Sequence, residues 1–375
     1  MVLSQKKCDH MYDLKKHYLS NKKEIITTIN KVLNSGTLEM GDEVDKFEEN
    51  FSKFCGANYC VTVSSGSMGL LIALKALNIN NNDEVITVAN SDIPTSHAIS
   101  LVGANIKWAE VCEETFNLNT NNLISYINKN TKAILPVHLY GNPADILKIN
   151  LIAKKFNISV IEDACLATGA EFGNKKIGCF SDMTVFSTNP GKVLDGIGPG
   201  GIITTNKKKL YLTLKKLRDY GRKDRPAKWP VKSHIIGYNS KMSAINAAIL
   251  NIRLRYLEDY IAKRNENASL YKCLLDSKKI KFQSVLHNAR SAWRNFPIRV
   301  KNRNKIFSSL FDKKFKVSLG YLPINYKDIC YNKIKNIPNL KITEKISSEI
   351  INLPCHPYMS QKEITKISKN ILDLI

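Results

Sequence analysis

Lys192 differs from the other basic residues of the chain in the sequence that surrounds it. The chain has 375 residues, of which 56 are lysines or arginines. An apolar run ends at Ser187, the turn Asn-Pro-Gly precedes the lysine, and the glycine-rich stretch 196–201 follows it. A lysine amine attacks a carbonyl group when burial or a nearby cation keeps it deprotonated. The setting of Lys192 indicates Schiff-base chemistry, although most lysines of a basic chain are solvated surface residues.

Three further segments place polar residues near the predicted ends of strands or the starts of helices. The stretch SSGS contains Ser67 at a helix start, where free N–H groups and a hydroxyl bind anions. The stretch VIED ends in Asp163, whose carboxylate could hold a cationic ring nitrogen. In GYNSKM, Asn239 and Lys241 precede a helix and could reach a phosphate. Each segment taken alone is equally well explained as a helix cap or a solvated loop.

The segments that position these residues alternate between strand and helix. Apolar, β-branched strands between amphipathic helices predict a mostly parallel sheet covered by helices on both faces. Ligands bind at the carboxyl ends of the strands in such sheets. The predicted strands are 58–65, 83–88, 132–140, 158–163, 183–188 and 200–205, and the predicted helices are 21–36, 42–56, 67–79 and 144–157.

The C-terminal third has a different pattern. Residues 242–276 form one long helical pattern whose length suits a helix that leaves a large domain for a smaller one. Short strands such as 294–300 then alternate with terminal helices, which predicts an α+β unit. We therefore expect an α/β protein with a large domain over 1–250 and a small domain over 251–375.

Composition narrows the range of functions. The net charge of +23 is spread along the chain and accompanies no RNP, zinc-finger or basic-zipper pattern, so we expect no nucleic acid. The charge is explained either by a general lysine-rich composition or by attraction of a small polyanion such as a nucleotide sugar. No apolar run is long enough to span a membrane, and no signal peptide is present, which predicts a cytoplasmic protein. The nine cysteines form no CxxC pair, so we expect neither a metal site nor a disulfide framework.

The motifs together resemble one family. The order SGS, EDACLATGA, FSTNPGK, GG and GYNSKM is similar to that of the DegT/StrS-type sugar aminotransferases. The stretches ILPVHLYGNPADI and LPCHPYMSQKEI resemble the same family, so the likeness covers most of the chain. The resemblance implies the aspartate-aminotransferase-like fold type I and pyridoxal 5′-phosphate (PLP) as cofactor.

The resemblance also implies a role for each motif. Lys192 would carry PLP covalently, and Asp163 would pair with the pyridine nitrogen, so that the ring acts as an electron sink. Asn239 would reach the phosphate of a cofactor in the neighbouring subunit, because this family builds its site across a homodimer interface. The phosphate would be held at the start of the helix that Gly66 opens, by Ser67, the backbone N–H of Met68 and Ser187.

The implied reaction is a transamination. Glutamate would donate the amino group, Lys192 would move a proton, and a keto group on a nucleotide-linked deoxysugar would accept the amine. Family members that act as dehydratases carry histidine in place of the lysine, so Lys192 favours transamination. The alternatives are an acceptor such as a cyclitol or another non-nucleotide ketone, and a catalytically impaired relative that binds PLP or nucleic acid and regulates.

Four positions depart from the family pattern. Leu166 stands where a glutamine usually bonds the PLP phenolate oxygen, and Asp92 stands where an aromatic ring usually stacks on PLP. Pro199 replaces the glutamate of GEGG, and Lys241 replaces an arginine. We expect these departures to change the cofactor environment and the substrate without removing the Schiff-base lysine.

Overall fold

The computed structural model describes residues 11–223, 229–333 and 338–375. In this part of the chain the helices are α1 Leu14–Ser20, α2 Lys22–Ser35, α3 Asp42–Cys55, α4 Gly66–Ala76, α5 Pro94–Leu101, α6 Ile146–Phe156, α7 Lys208–Arg218, α8 Ala244–Arg255, α9 Leu257–Leu274, α10 Arg303–Asp312, α11 Lys341–Glu349 and α12 Gln361–Leu372. The strands are β1 Tyr59–Val63, β2 Glu84–Val88, β3 Asn105–Ala109, β4 Thr131–Ile134, β5 Ser159–Asp163, β6 Glu171–Phe172, β7 Lys175–Lys176, β8 Met183–Ser187, β9 Gly201–Thr205, β10 Lys281–Phe282, β11 Ala289–Arg290, β12 Phe296–Arg299 and β13 Ile350–Leu353.

Seven strands form the main sheet in the order β1-β9-β8-β5-β4-β2-β3. Six of them are parallel, and β9 runs against both of its neighbours, β1 and β8. Every residue of β8 and β9 is buried, because helices cover both faces of the sheet. Val185 packs into the cluster with α4, α5 and α7, whereas Phe186 packs into the cluster with α3, α6 and α8. The predicted α/β architecture with a mostly parallel sheet is confirmed.

The C-terminal part is built on a second sheet. The antiparallel strands β10, β12 and β13 pack with α9, α10 and α12 around one apolar cluster. The α+β character expected for this end of the chain is confirmed.

Two sheet predictions were wrong in detail. The strand predicted over 132–140 ends at Ile134, since Pro136 has no N–H for the ladder and the chain turns at Tyr140, whose φ is 60°. Strand β3 was not predicted. It is the edge strand of the sheet, and its first three residues, which include Asn105 and Lys107, stay partly or fully exposed, so it lacks the apolar pattern of the inner strands.

The long helix predicted over 242–276 is two helices in the structure. Helix α8 ends at Arg255 and α9 begins at Leu257. The N–H of Tyr256, the residue between them, bonds to the carbonyl of Arg253 at 3.2 Å, which closes the last turn of α8 tightly. The apolar pattern continues through the break, so the sequence alone does not reveal it.

Helix α1 packs against the segment that follows β13. The Tyr12 ring lies 5.5 Å from the His356 ring and 6.2 Å from the Tyr358 ring. His356 is buried, and its Nδ1 has no hydrogen-bond partner within the described part of the chain. Burial, assisted by the charge of Arg264, lowers the pKa of His356 to about 3, so the ring is neutral at physiological pH.

This neutral ring makes stability depend on pH. In the unfolded chain a histidine takes up a proton near pH 6.5, whereas folded His356 does so near pH 3. Stability is therefore lost as pH falls through this window, by at most about 1.4 kcal/mol per pH unit. We expect His356→Asn to reduce the fall in the free energy of urea unfolding between pH 6.5 and 4.5 by roughly 1 kcal/mol per unit.

The matched control is His287→Asn, because His287 is exposed. It should keep the slope of the wild-type protein, since its ring meets solvent in the folded and unfolded states. An equal slope in the wild type and His356→Asn would contradict the buried neutral ring.

Candidate active site

A cavity of about 210 Å³ opens at the carboxyl ends of β5 and β8, beside the start of α4. Its wall is formed by residues from the predicted sequence motifs together with neighbours from α5. The predicted site residues that line it are Gly66, Ser67, Asp92, Asp163, Leu166, Ser187 and Lys192.

One end of the cavity is suited to an anion. Helix α4 begins there, and the first N–H groups of a helix have no partner within the helix. Ser67 is exposed at this end, and Ser187 is 6% exposed at the end of β8, so two hydroxyls face the same space. Met68 is not part of the wall, and its N–H donates to the Ser65 side chain at 3.1 Å as a helix cap. The Met68 N–H is therefore bonded within the protein in this structure, and its contact with a phosphate stays a prediction.

Two glycines allow the backbone to pack tightly at this end. A Cβ added to Gly66 would lie 2.9 Å from both Cys165 Sγ and Ser187 Cβ. A Cβ added to Gly201, the first residue of β9, would overlap the carbonyl group of Ser65. Any larger residue at either position would push the start of α4 away from the strand ends.

Asp163 ends β5 at the cavity wall and is 5% exposed. Its Oδ2 accepts a hydrogen bond from Thr95 Oγ1 at 2.8 Å, and its Oδ1 accepts from the Cys165 N–H at 3.1 Å. Next to it, Glu162 pairs with His138 Nε2 at 2.9 Å inside the core. The Asp163 carboxylate therefore has a fixed orientation and can hold a cationic ring nitrogen in the cavity.

Lys192 belongs to the same wall, in the loop between β8 and β9, and is only partly exposed. Burial lowers the pKa of Lys192, and the Arg294 guanidinium lowers it further, against the opposing charges of Asp92 and Asp163. A lower pKa raises the fraction of the free amine at neutral pH, which is the nucleophilic form. The predicted setting of Lys192 is thus consistent with its place in the fold.

The sequence of the chain matches the model of the DegT/DnrJ/EryC1/StrS aminotransferase family over residues 19–372. The chain belongs to this family. Its members are PLP-dependent, so this protein is a PLP-dependent aminotransferase of fold type I.

Relatives match along almost their whole length. The chain is 36% identical over 355 residues to a dTDP-3-amino-3,6-dideoxy-alpha-D-galactopyranose transaminase from Aneurinibacillus thermoaerophilus, with 95% of this chain and 96% of the relative covered. The structure of DesV from S. venezuelae has a TM-score of 0.93 at 28% identity and covers 96% of this chain and 97% of its own. NtdA from Bacillus subtilis, solved with bound cofactor PMP, has a TM-score of 0.89 at 27% identity and covers 100% of this chain and 87% of its own.

The groups in the cavity of the aminotransferase are suited to the groups of PLP. The start of α4 suits the phosphate, the Asp163 carboxylate suits the pyridinium nitrogen, and the Lys192 amine suits the aldehyde carbon. No cluster of three His, Cys, Asp or Glu side chains able to hold a metal ion is found in 11–223, 229–333 and 338–375. Over the same ranges, no helix has the length and apolarity to cross a membrane.

Two of the four departures from the family pattern, Leu166 and Asp92, lie in the cavity wall. Leu166 is 7% exposed and offers only an apolar surface. Asp92 is exposed at the mouth, and its Oδ1 accepts from the Ile93 N–H at 2.9 Å. Burial, and after it the charge of Asp92, raises the pKa of Tyr321, whose ring stacks on that of Tyr140 with the ring centroids 5.9 Å apart.

Pro199 is accommodated by a neighbouring side chain. The Asn246 amide donates to the Pro199 carbonyl at 3.2 Å, and its oxygen accepts from the Ile197 N–H at 3.0 Å. The glycine-rich loop after Lys192 is therefore held through backbone atoms. Proline allows this because it lacks only the N–H and keeps its carbonyl oxygen as an acceptor.

Asn239 and Lys241 are outside the cavity wall of their own chain. Asn239 is exposed and forms a backbone bridge with Asp219. Lys241 Nζ pairs with Glu39 Oε2 at 2.7 Å. A contact of Asn239 with the cofactor of a neighbouring subunit stays a prediction.

Sequence reasoning did not assign nine of the wall residues to the site, and four polar ones among them are Ser91, Thr95, Cys165 and Asn189. Cys165 and Asn189 lie inside motifs that were recognised, two residues after Asp163 and three before Lys192. Thr95 had no comparable signal, because its bond to Asp163 joins residues 68 positions apart.

The close packing around Gly66 gives a direct test of the cavity. In Gly66→Ala the new methyl group would press on Cys165 and Ser187, and such overpacking costs about 1–3 kcal/mol. We expect the affinity for PLP, measured by equilibrium dialysis, to fall about tenfold.

The matched control is Gly198→Ala, where an added Cβ has no atom within 4 Å. Its PLP affinity should stay within twofold of the wild-type value, on the order of a few tenths of a kcal/mol. Wild-type affinity in a folded Gly66→Ala protein would place PLP elsewhere.

Proposed function

We propose that this aminotransferase moves an amino group from glutamate to a keto group of a nucleotide-linked deoxysugar, with PLP attached to Lys192. The observation that carries the proposal is the single cavity that brings together Lys192, Asp163 and the start of α4. The start of α4 and Asp163 complement the charges of the phosphate and of the protonated ring nitrogen of PLP. The Lys192 amine is the group that can react with the aldehyde carbon.

PLP, when bound, supplies an electron sink for the charge that develops at the carbon next to the amine. The Asp163 carboxylate would hold the proton on the ring nitrogen, where its two protein hydrogen bonds keep it oriented. Ser67, Ser187 and the first N–H groups of α4 would hold the phosphate.

Lys192 would act as the acid and base of the reaction once an amino donor has displaced it. Its lowered pKa leaves the amine free to take the proton from the donor Cα and to return it at the carbon that carried the aldehyde. Leu166 forms an apolar part of the wall and keeps water from that face.

A nucleotide-linked acceptor is supported by charge and by the relatives. The net charge of +23 favours a substrate that carries a diphosphate. The Aneurinibacillus relative is named for a dTDP-linked amino sugar. A cyclitol or other non-nucleotide ketone is the alternative acceptor.

A homodimer is supported by the segment that contains Asn239. Trp229 is 91% exposed and Ile236 is 95% exposed in the same stretch of chain. Such apolar exposure is typical of a surface covered by a partner. A second copy would cover it and bring Asn239 toward the other cavity.

The first test is an absorbance spectrum of the protein with added PLP, before and after glutamate. We expect a visible band that glutamate bleaches, and we expect Lys192→Ala to lose the band and about 10²–10⁴-fold of the rate. Lys129→Ala, at an exposed lysine, is the matched control and should behave as the wild type. A glutamate-sensitive band in Lys192→Ala would overturn the role of Lys192.

The acceptor is then tested with the amino-loaded protein. Return of the visible band with dTDP- or UDP-linked keto sugars, and none with keto cyclitols, is the expected result. Return of the band with the cyclitol alone would replace the nucleotide-sugar proposal.

A further inference from the structure

The side chain of Asp195 is fully buried only three residues after Lys192. Its Oδ2 accepts a hydrogen bond from the N–H of Gly191, the residue that precedes the lysine, at 3.0 Å. The carboxylate thus bonds across the lysine to the backbone on its other side. Gly191 has a φ of 84°, so this N–H is fixed in a turn that few residues can adopt.

Arg253 of α8 holds the same carboxylate from the core. Its Nη1 donates to Asp195 Oδ1 at 3.0 Å and to the Gly196 carbonyl at 3.2 Å. The Gly196 N–H donates to the Thr188 carbonyl at 2.7 Å, which closes the loop around Lys192. The two ends of the loop are therefore tied to each other and to α8.

His17 of α1 is the third group on Asp195. Its Nδ1 lies 3.1 Å from Asp195 Oδ1 and 2.9 Å from the Tyr12 hydroxyl, and the ring is 1% exposed. Burial lowers the pKa of His17, so the ring is neutral. A neutral ring that faces a carboxylate through Nδ1 carries its proton there, which leaves Nε2 as an acceptor. Among the residues that the structure describes, Nε2 has no hydrogen-bond partner.

The three donors keep the carboxylate charged. Burial by itself opposes ionisation, but the hydrogen bond from His17 and the charge of Arg253 hold the pKa of Asp195 below its usual value. Donors from α1, α8 and the turn at Gly191 thus meet on one anion. An ionised carboxylate with all its donors in place is a rigid anchor, since each donor would be left unpaired if the loop moved.

We propose that Asp195 is the positioning residue for Lys192, and that α1 belongs to the active site because His17 completes the anchor. The proposal rests on the function proposed for Lys192 above. Reaction of the lysine amine requires near-contact geometry, and a displacement of about 1 Å costs up to about a hundredfold in rate. Asp195 itself is not one of the residues that line the cavity.

The test uses the full-length protein and three variants. Asp195→Ala removes the anchor, Asp195→Asn keeps one acceptor oxygen, and His17→Gln keeps a donor without the imidazole. Asp13→Asn is the matched control, because Asp13 caps α1 by accepting from the Lys16 N–H and does not contact Asp195. The first readout is the rate of PLP attachment to Lys192, followed by borohydride reduction and peptide mass, with no amino donor present.

A positioning role predicts a specific pattern. Asp195→Ala should attach PLP about ten- to a hundredfold more slowly, with Asp195→Asn between it and the wild type. The kcat of the glutamate half-reaction should fall by a similar factor, while KM for glutamate stays within twofold. Asp13→Asn should keep both rates within twofold even where its Tm falls, because a loss of fold stability alone leaves the folded molecules competent.

Wild-type attachment rates in folded Asp195→Ala would overturn the proposal. Where Asp195→Ala does not fold, unchanged rates in both Asp195→Asn and His17→Gln would overturn it equally. A wild-type protein that attaches no PLP would remove the proposed function and this inference together. A wild-type protein that attaches PLP while every variant matches it would remove this inference alone.

Discussion

Backbone packing at Gly66 and Gly201 is the constraint on which the rest of the site depends. Gly201 lets β9 pass directly against Ser65, and Gly66 lets α4 begin directly beside Ser187 and Cys165. The reversed strand β9 thereby lies between β1 and β8 and brings their ends together. This packing fixes the anion-binding start of α4. The width of the cavity therefore depends on the contacts at Gly66 and Gly201, where there is no room for a side chain.

Each buried carboxylate near the cavity has hydrogen-bond donors or cations of the protein as partners. Asp163 at the wall has Thr95 and the Cys165 N–H as partners, and Glu162 beside it is paired with His138. Behind Lys192, Asp195 meets Arg253 and His17. A buried charge without partners would be costly, so each carboxylate has its hydrogen bonds within the protein. The Lys192 amine is the group whose protonation can change, because burial and the charge of Arg294 lower its pKa.

The family motifs that are altered in this chain are compensated to different degrees. Pro199 lies in a loop that Asn246 holds through backbone atoms, so the loss of an acidic side chain leaves the loop in place. Leu166 turns a hydrogen-bonding position into an apolar wall. Asp92 adds a carboxylate to the wall, and its charge adds to the burial that raises the pKa of Tyr321. These changes alter the surface that a substrate meets and leave the positions of Lys192 and Asp163 unaffected.

The family, the cofactor class and the main wall residues can be predicted from the sequence, because short local motifs carry each of them. Ser187, Lys192 and Asp163 follow strands whose apolar runs are recognisable, and the carboxyl ends of parallel strands meet at one edge. The hydrogen bond of Thr95 to Asp163 and the contact of His17 with Asp195 are seen only in the three-dimensional structure. Those partners are 68 and 178 positions apart in the chain, and no local pattern encodes such a contact. The same reason explains the unpredicted edge strand β3 and the break at Tyr256, which depend on what packs beside them and not on their own residue types.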